Sequence, residues 1–526
     1  MIKSSHLYGE VKALKDLTAA TLFIGLKKTF KSGGFKVVTK GSPLEATFEE
    51  HIHALDGKAE LGFHSWQSPK GINATVGFLV LDEKFKTLEV LEGLRSALAA
   101  QITTKTLLLR VVIDESLDTA QISKSIGIAV SAKINLMPRF GKAAKEAKPH
   151  LLKEVQILGF KNGVEEFKEG LILGEASHQV RALGMTPGNF LNPKIYGTEI
   201  KKVCAKNKLN LKFHSNKILK AKGAGAFTAV DQGDPNSSGG IYEITYKPKN
   251  AKNKSPIALV GKGLCFDTGG YNIKTGSYMI TMKGDMQGSA VALSTIEAAS
   301  RLKLPLHLKA WLAVTENHIS PKAFKPDDVV TALNGKTIEI VDTDAEGRMV
   351  LADALTLATR EKPQFCLDFA TLTGSAVRAV GTRMGVGFSN DESLHPLIKE
   401  CGVQSGERIW PFPLDSDYGK ALESKVADIL QCSASPGPDH IWAAYFLSQF
   451  IEHKTAIESA PDSTGVPLPT EGELVLVRVN AHRMRVIVAY DPHLVKEIKQ
   501  VPFAKWDDKN KWWNLSIIFR MMPLMR

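Results

Sequence analysis

VDTDAEGRMVLADALTLAT, residues 341–359, is the stretch on which the reading of the chain turns. Asp344 and Glu346 stand two apart. In an extended segment residues i and i+2 share a face, so the two carboxylates are expected to converge. Gly347 then permits a sharp turn. From Arg348 onward Leu351, Ala354, Leu355 and Ala358 recur at helical spacing. A strand end, a tight glycine and a helix start place the carboxylates at the carboxyl edge of a sheet, where open α/β folds bind ligands.

Upstream lies PIALVGKGLCFDTGGYNIKTGSYMITMKGDMQGSAVAL, residues 256–293. Ile257–Val260 and Leu264–Phe266 are apolar runs of buried-strand length, and Lys262 interrupts them. A lysine in such a strand is costly unless paired or neutral, and a neutral amine is a metal ligand. Asp267, Asp285, Asp344 and Glu346 are hard oxygen donors. Four carboxylates cannot all stay ionised in one small site without compensating positive charge. Two divalent cations balance them, on the roughly 3.5–4 Å spacing of two-metal phosphatases, nucleases and aminopeptidases. Lys274 and Arg348 are then left as cations facing substrate. Taken singly, Asp267 reads as a turn former, Asp285 as a helix cap and Asp344 as the start of an Asx-turn. Together with a strand lysine they read as a metal set.

These motifs resemble the cytosolic leucyl aminopeptidases, two-metal enzymes that remove N-terminal residues from peptides. The resemblance is carried by VGKGLCFDTGG, MKGDMQGSA, ALNGKTIEIVDTDAEGRMVLADAL and DFATLTGSAVRAVG. It reaches back to VRALGMTPGNFLNP and forward to SGERIWPFPL and DHIWAAYFLSQF. It implies metal ligands at Lys262, Asp267, Asp285, Asp344 and Glu346, and catalytic roles for Lys274 and Arg348. It also implies a first-residue pocket walled by Met282, Thr371 and Gly374, of a size for Leu- or Met-like side chains. A bicarbonate held at Arg348 as proton shuttle, peptide substrates and a hexamer of like chains are further implications. The metals are zinc or manganese, since both suit oxygen ligands with one amine. Asp342 stands where the family usually has Asn, and Thr268 where it usually has Ser. After HIWAAYFLSQFIEHKTA the chain departs from the family's usual ending altogether.

With 526 residues the chain has room for two or three domains. The fold class expected is α/β: a small N-terminal α/β domain (1–150), a linker and connecting helix (151–184), a larger catalytic domain with a mixed, mostly parallel sheet (185–456), and a divergent basic, Trp-rich segment (457–526). TLFIGL (21–26) and KTLLLRVVID (105–114) read as strands, and 88–102 as a helix. The polar stretch 138–165 reads as the connection between domains. His51 and His53 would share a strand face and could in principle hold a metal, though two half-exposed histidines are the commoner reading of such a pair. In the tail, Glu473–Tyr490 reads as a hairpin broken at Asn480–Arg483. Leu494, Ile498 and Val501 suggest a short helix.

Five scattered cysteines without a CxxC pair read as reduced thiols of a cytoplasmic protein. No run approaches the ~20 apolar residues of a membrane span, and the opening MIKSSHLYGEVKALKD lacks a signal peptide's apolar core. The net charge of +12 reads as a solvated basic surface or as one that meets nucleic acid. Three functions follow from these readings: an active aminopeptidase, a family member whose altered end leaves it a structural role, or a DNA-associated protein. The complete ligand set favours the first.

Overall fold

The structure is a computed structural model. It describes residues 20–26, 61–65, 76–114, 116–158, 163–236 and 238–452, and the backbone of 3–7, 66–67, 75, 474–480, 483–488, 504–507 and 512–515. The chain divides into two compact units, the first chiefly Met1–Thr186, the second chiefly Pro187–Ile296 with Pro305–Pro523.

The first unit carries strands β1 (Lys3–Leu7), β2 (Ala20–Leu26), β3 (Gly62–Gln67), β4 (Thr75–Leu81), β5 (Leu108–Ile113) and β6 (Glu154–Leu158). They form one sheet in the order β1-β6-β5-β2-β4-β3. Neighbours are parallel except β3, which pairs antiparallel with β4. Helices α1 (Thr87–Gln101), α2 (Thr119–Ile134) and α3 (Val164–Met185) accompany it. Leu22, Ile24, Leu94, Leu98, Val111, Ile126 and Phe167 share its core. The strands expected at 21–26 and 105–114 and the helix at 88–102 are present.

The stretch taken as a connection is more than that. Its β6 lies between β1 and β5, with Val155, Ile157 and Leu158 buried. The helix that follows packs on α2, where Gly127 and Gly170 bring the two backbones together. The apolar run is short and flanked by lysines, which hid it in the sequence. The first unit therefore extends to Thr186. His51 and His53 lie outside the described residues.

The second unit is built on β7 (Asn210–Ser215), β8 (Gly240–Tyr246), β9 (Ile257–Asp267) and β10 (Leu308–Asn317), a small hairpin of β11 (Val329–Thr331) and β12 (Thr337–Glu339), and β13 (Phe365–Phe369). The main sheet runs β13-β9-β10-β8-β7. β13, β9 and β10 are parallel, β8 opposes β10, and β7 opposes β8, so only β8 runs against the others. Every residue of β10 is buried, as a parallel strand covered on both faces requires. The two runs on either side of Lys262 are one continuous strand of 11 residues. Helices α4 (Gln287–Arg301), α5 (Glu346–Arg360), α6 (Gly374–Val380) and α7 (Asp439–Ser448) complete what positions the site.

Burial of α5 along nearly its whole length fixes the residues at its start. Leu351, Ala354, Leu355 and Ala358 are at most 2% exposed. Asp353, also buried, ties loops to the helix: its Oδ2 accepts from Phe227 N at 2.8 Å and its Oδ1 from Leu333 N at 2.7 Å. Burial pushes its pKa up to about 7, against the pull of those backbone donors. An ordinary aspartate titrates near ~3.9, so the folded state favours the protonated form. That contribution to stability is complete below the ordinary value and is lost as pH rises through about 7. In urea titrations between about pH 5 and pH 8, the wild-type midpoint is expected to fall relative to that of Asp353→Asn, whose amide does not titrate. A difference independent of pH contradicts this.

Beyond Glu452 the described backbone is four short strands, Leu474–Asn480, Arg483–Val488, Ala504–Asp507 and Trp512–Leu515. They pair antiparallel, and the first two are the expected hairpin. The helix expected around Leu494, Ile498 and Val501 lies outside the described residues. Among the described residues no helix is long and apolar enough to cross a membrane. The five cysteines carry no disulfide.

Candidate active site

The site forms where β9, the loop after it, the start of α5 and the end of β13 meet. Lys262 points from mid-β9 and is 3% exposed. Its Nζ lies 2.7 Å from Asp285 Oδ2 and 3.0 Å from Glu346 Oε1, and donates to Thr371 O at 3.0 Å. Burial opposes its charge, but the carboxylates of Asp285, Glu346 and Asp267 outweigh burial and hold its pKa above the ordinary lysine value. Asp285 approaches because Gly288, at the start of α4, has no side chain: a Cβ there meets Phe369 O at 2.0 Å and Lys262 N at 3.0 Å.

Asp267 ends β9. Its Oδ1 accepts from Gly269 N and from Asn317 Nδ2, both at 2.9 Å. Lys274 returns over the same spot, its Nζ 2.8 Å from Asp267 Oδ2 and 2.5 Å from Asp344 Oδ1. All five expected ligand residues and Lys274 are thus in one connected cluster. Asp267, Asp344 and Glu346 each present an oxygen within 4.8 Å of the others.

The convergence arises differently from the i, i+2 strand geometry expected. Asp344 sits in a 3-10 turn, Thr343–Ala345, and Glu346 is already the first residue of α5. Asp342 Oδ1 accepts from Asp344 N at 2.8 Å and shapes that turn, an acceptor's role that Asn fills equally. Gly347 is helical, and what it provides is space: a Cβ there meets Lys262 Cε at 2.5 Å and Nζ at 2.6 Å.

Crowding of carboxylates shows in their titration. Burial, then the charge of Asp267, raises Glu346 well above its usual range. Burial likewise raises Asp285. Asp344 rises to about 6 through burial and Asp267, with Asp342 adding a smaller push. Asp285 Oδ2, Asp344 Oδ1 and both oxygens of Glu346 are buried without a hydrogen-bond partner, and three of these four have only a lysine ion pair. Such a donor set fits divalent cations: hard oxygens, one amine, and excess negative charge in a buried spot.

The profile of the cytosol aminopeptidase family, catalytic domain, matches residues 178–459. The chain belongs to the cytosol aminopeptidase family. The probable cytosol aminopeptidase of Bordetella pertussis is 37% identical to it over 363 residues, 68% of this chain and 72% of that protein. A solved structure of a tomato leucine aminopeptidase mutant superposes with a TM-score of 0.74 at 25% identity, covering 86% of this chain and 90% of that one. The bottromycin maturation enzyme BotP, solved in complex with Mn, gives a TM-score of 0.69 at 28% identity over 82% of this chain and 90% of that one. As a member of the family the chain is an aminopeptidase, a metallo-exopeptidase hydrolase.

Within this aminopeptidase fold the remaining expected residues fall near the cluster, with different surroundings. Thr371 does more than wall a pocket: its Oγ1 donates to Asp285 Oδ1 at 2.7 Å. Gly374, first residue of α6, is exposed, and a Cβ there meets nothing within 4 Å. Met282 is half-buried in a 3-10 turn that precedes Asp285. Arg348 is 2% exposed. Its Nη2 donates to Asp439 Oδ1 at 2.8 Å and its Nη1 to Gln431 O at 3.2 Å. Its Nε is buried without a partner. A bicarbonate needs two parallel N–H groups on an open edge, and this fork offers none, so the residues present do not fit that anion.

Sequence reasoning missed Asn317, Gln431 and Asp439. Asn317 ends β10 beside Asp267 in parallel register and also donates to Thr343 O at 3.0 Å. Gln431 Oε1 accepts from Val341 N and Asp342 N, each at 3.1 Å, while its Nε2 donates to Ala345 O at 3.1 Å. It clamps the turn that carries Asp344. His318 and His440 are hydrogen-bonded outside the cluster, to Glu316 at 2.6 Å and to Ser375 at 2.9 Å.

Proposed function

We propose that this aminopeptidase releases N-terminal Leu- or Met-like residues from peptides, using two divalent cations, zinc or manganese, held by Lys262, Asp267, Asp285, Asp344 and Glu346. The observation that carries the reading is the convergence of those five side chains with Lys274 around unpartnered carboxylate oxygens. Bound cations supply Lewis acidity and water of lowered pKa. Around them the chain's own groups orient and neutralise. Asn317 and Gly269 fix the Asp267 carboxylate, and Thr371 fixes Asp285. Lys274, with 13% of its side chain exposed against 4% for Lys262, is the more accessible of the cluster's two lysines. Its ammonium meets the charge that develops on the scissile carbonyl oxygen. Gly374, Thr371 and the half-buried Met282 are the residues that would wall the place of a medium apolar first residue.

The complete acid–lysine cluster favours catalysis over an inactive, structural or DNA-associated family member. A cytoplasmic location and the hexamer implied by the resemblance belong to the same proposal, and light scattering of the full chain reads the latter. The deciding experiment is hydrolysis of a leucine anilide with and without added manganese or zinc. Metal-dependent release is expected for Leu and Met. If folded, metal-loaded protein leaves unblocked Leu-, Met- and Ala-peptides intact, the proposal fails.

A further inference from the structure

Arg348 follows the ligand Glu346 by two residues in the first turn of α5, and its guanidinium is enclosed. One amino group donates to a backbone carbonyl, Gln431 O, and the other to a carboxylate, Asp439 Oδ1. The third nitrogen, Nε, is shut away from solvent. Asp439 is different: 37% of its side chain is exposed while its partner's is 2% exposed. The carboxylate therefore stands between a buried cation and open solvent. It is the first residue of α7, where a negative charge is favoured by the helix dipole. Next to it His440 is anchored, its backbone N and its Nδ1 both on Ser375 Oγ, at 2.8 and 2.9 Å. Ser375 itself adjoins Gly374 in α6. The turn that carries Asp439 is thus fixed in place on two sides.

A second anion reaching Arg348 meets a fork already neutralised, and it must displace Asp439 to gain a bidentate edge. We infer that Asp439 is the built-in anion of the Arg348 site: this chain supplies from its own sequence the carboxylate that sits on the guanidinium, and no free carbonate-class anion binds there. Asp439 acts through Arg348 and is a positioning residue. This rests on the peptidase reading for its kinetic consequence but not for its binding consequence.

The test has a binding arm and a kinetic arm. In the first, isotope-labelled bicarbonate is titrated with the full-length protein and its NMR linewidth is followed. The wild type is expected to leave it unchanged, Asp439→Ala to broaden it, and Asp439→Ala combined with Arg348→Ala to leave it unchanged again. In the second, wild-type kcat is expected to be indifferent to bicarbonate. Asp439→Ala is expected to lose about tenfold to a hundredfold in kcat, the worth of one charge-assisted hydrogen bond. Added bicarbonate or formate is expected to restore much of that loss, which a merely structural defect does not permit. Asp439→Asn keeps the shape and guards against a folding failure of the alanine variant; it too is expected to lose activity. Arg348-dependent binding of bicarbonate to the wild type overturns the inference. So does an Asp439→Ala protein that binds no bicarbonate, or an Asp439→Asn protein with full kcat. The binding arm reads without turnover, so its outcome stands apart from whether peptides are cleaved.

Discussion

Asp344→Ala protein is expected to purify with fewer divalent cations per chain, whereas Lys274→Ala keeps its metal and loses catalysis. The two residues touch, at 2.5 Å, yet do different things. Asp344 is one of the three acids whose oxygens lie within 4.8 Å of one another. Its turn is shaped by Asp342 and clamped by Gln431, so the carboxylate is aimed before any cation arrives. Removing it removes a ligand, and metal affinity falls by more than the roughly 10–100-fold typical of changes around a ligand shell. Lys274 is a cation and adds nothing to cation binding. Its loss costs an oxyanion donor, typically about 10²–10³ in kcat. Metal content by plasma emission and kcat on a leucine anilide check both. A Lys274→Ala protein stripped of metal, or an Asp344→Ala protein with a full complement, reverses the assignment.

The second large effect is expected at a residue with no functional group. Gly347→Ala places a Cβ at 2.5 Å from Lys262 Cε and 2.8 Å from its Cδ. A free lysine tip moves aside; this one does not, because its ammonium is held by Asp285, Glu346 and Thr371 O in a buried place. The extra methyl therefore drives Lys262 out of the cluster or pushes α5 away from β9. Overpacking of this kind costs about 1–3 kcal/mol. In the first case the buried carboxylates of Asp285 and Glu346 also lose their lysine partner. Activity is expected to fall to background and metal content with it, in a protein whose circular dichroism is unchanged. Wild-type metal content and kcat in Gly347→Ala defeats the close-approach argument.

That glycine also shows what the sequence made legible. The motif 341–350 pointed to side chains that do converge, but through a local geometry other than the extended one expected. Alternation in VDTDAEG fits an extended segment, but Asp342 caps a turn and Glu346 opens the helix, so the carboxylates meet by a bend. The lysine in β9 was readable because an ammonium in an apolar run needs partners. That the strand runs unbroken through it was not, since the ion pairs come from residues 23 and 84 positions further on. Asn317, Gln431 and Asp439 had no signal of their own. Each is an ordinary polar residue until the sheet order and the return of the chain bring it against Asp267, the Asp344 turn or Arg348. In β6 the apolar run was too short to stand out beside its lysines.

The clamp by Gln431 carries a consequence for how the molecule is made. Residues that finish the site are drawn from far along the chain: Thr371 lies 109 positions beyond Lys262, Gln431 lies 83 beyond Arg348, and Asp439 lies 91 beyond it. A ribosome delivers Thr371, Gln431 and Asp439 after all four acids of the cluster. Until residue 439 has emerged, the turn that carries Asp344 lacks its Gln431 clamp or Arg348 lacks its carboxylate partner. Contacts of such long separation also close slowly. Peptide-cutting competence is thus expected to arrive late in synthesis, once the chain beyond residue 439 is available.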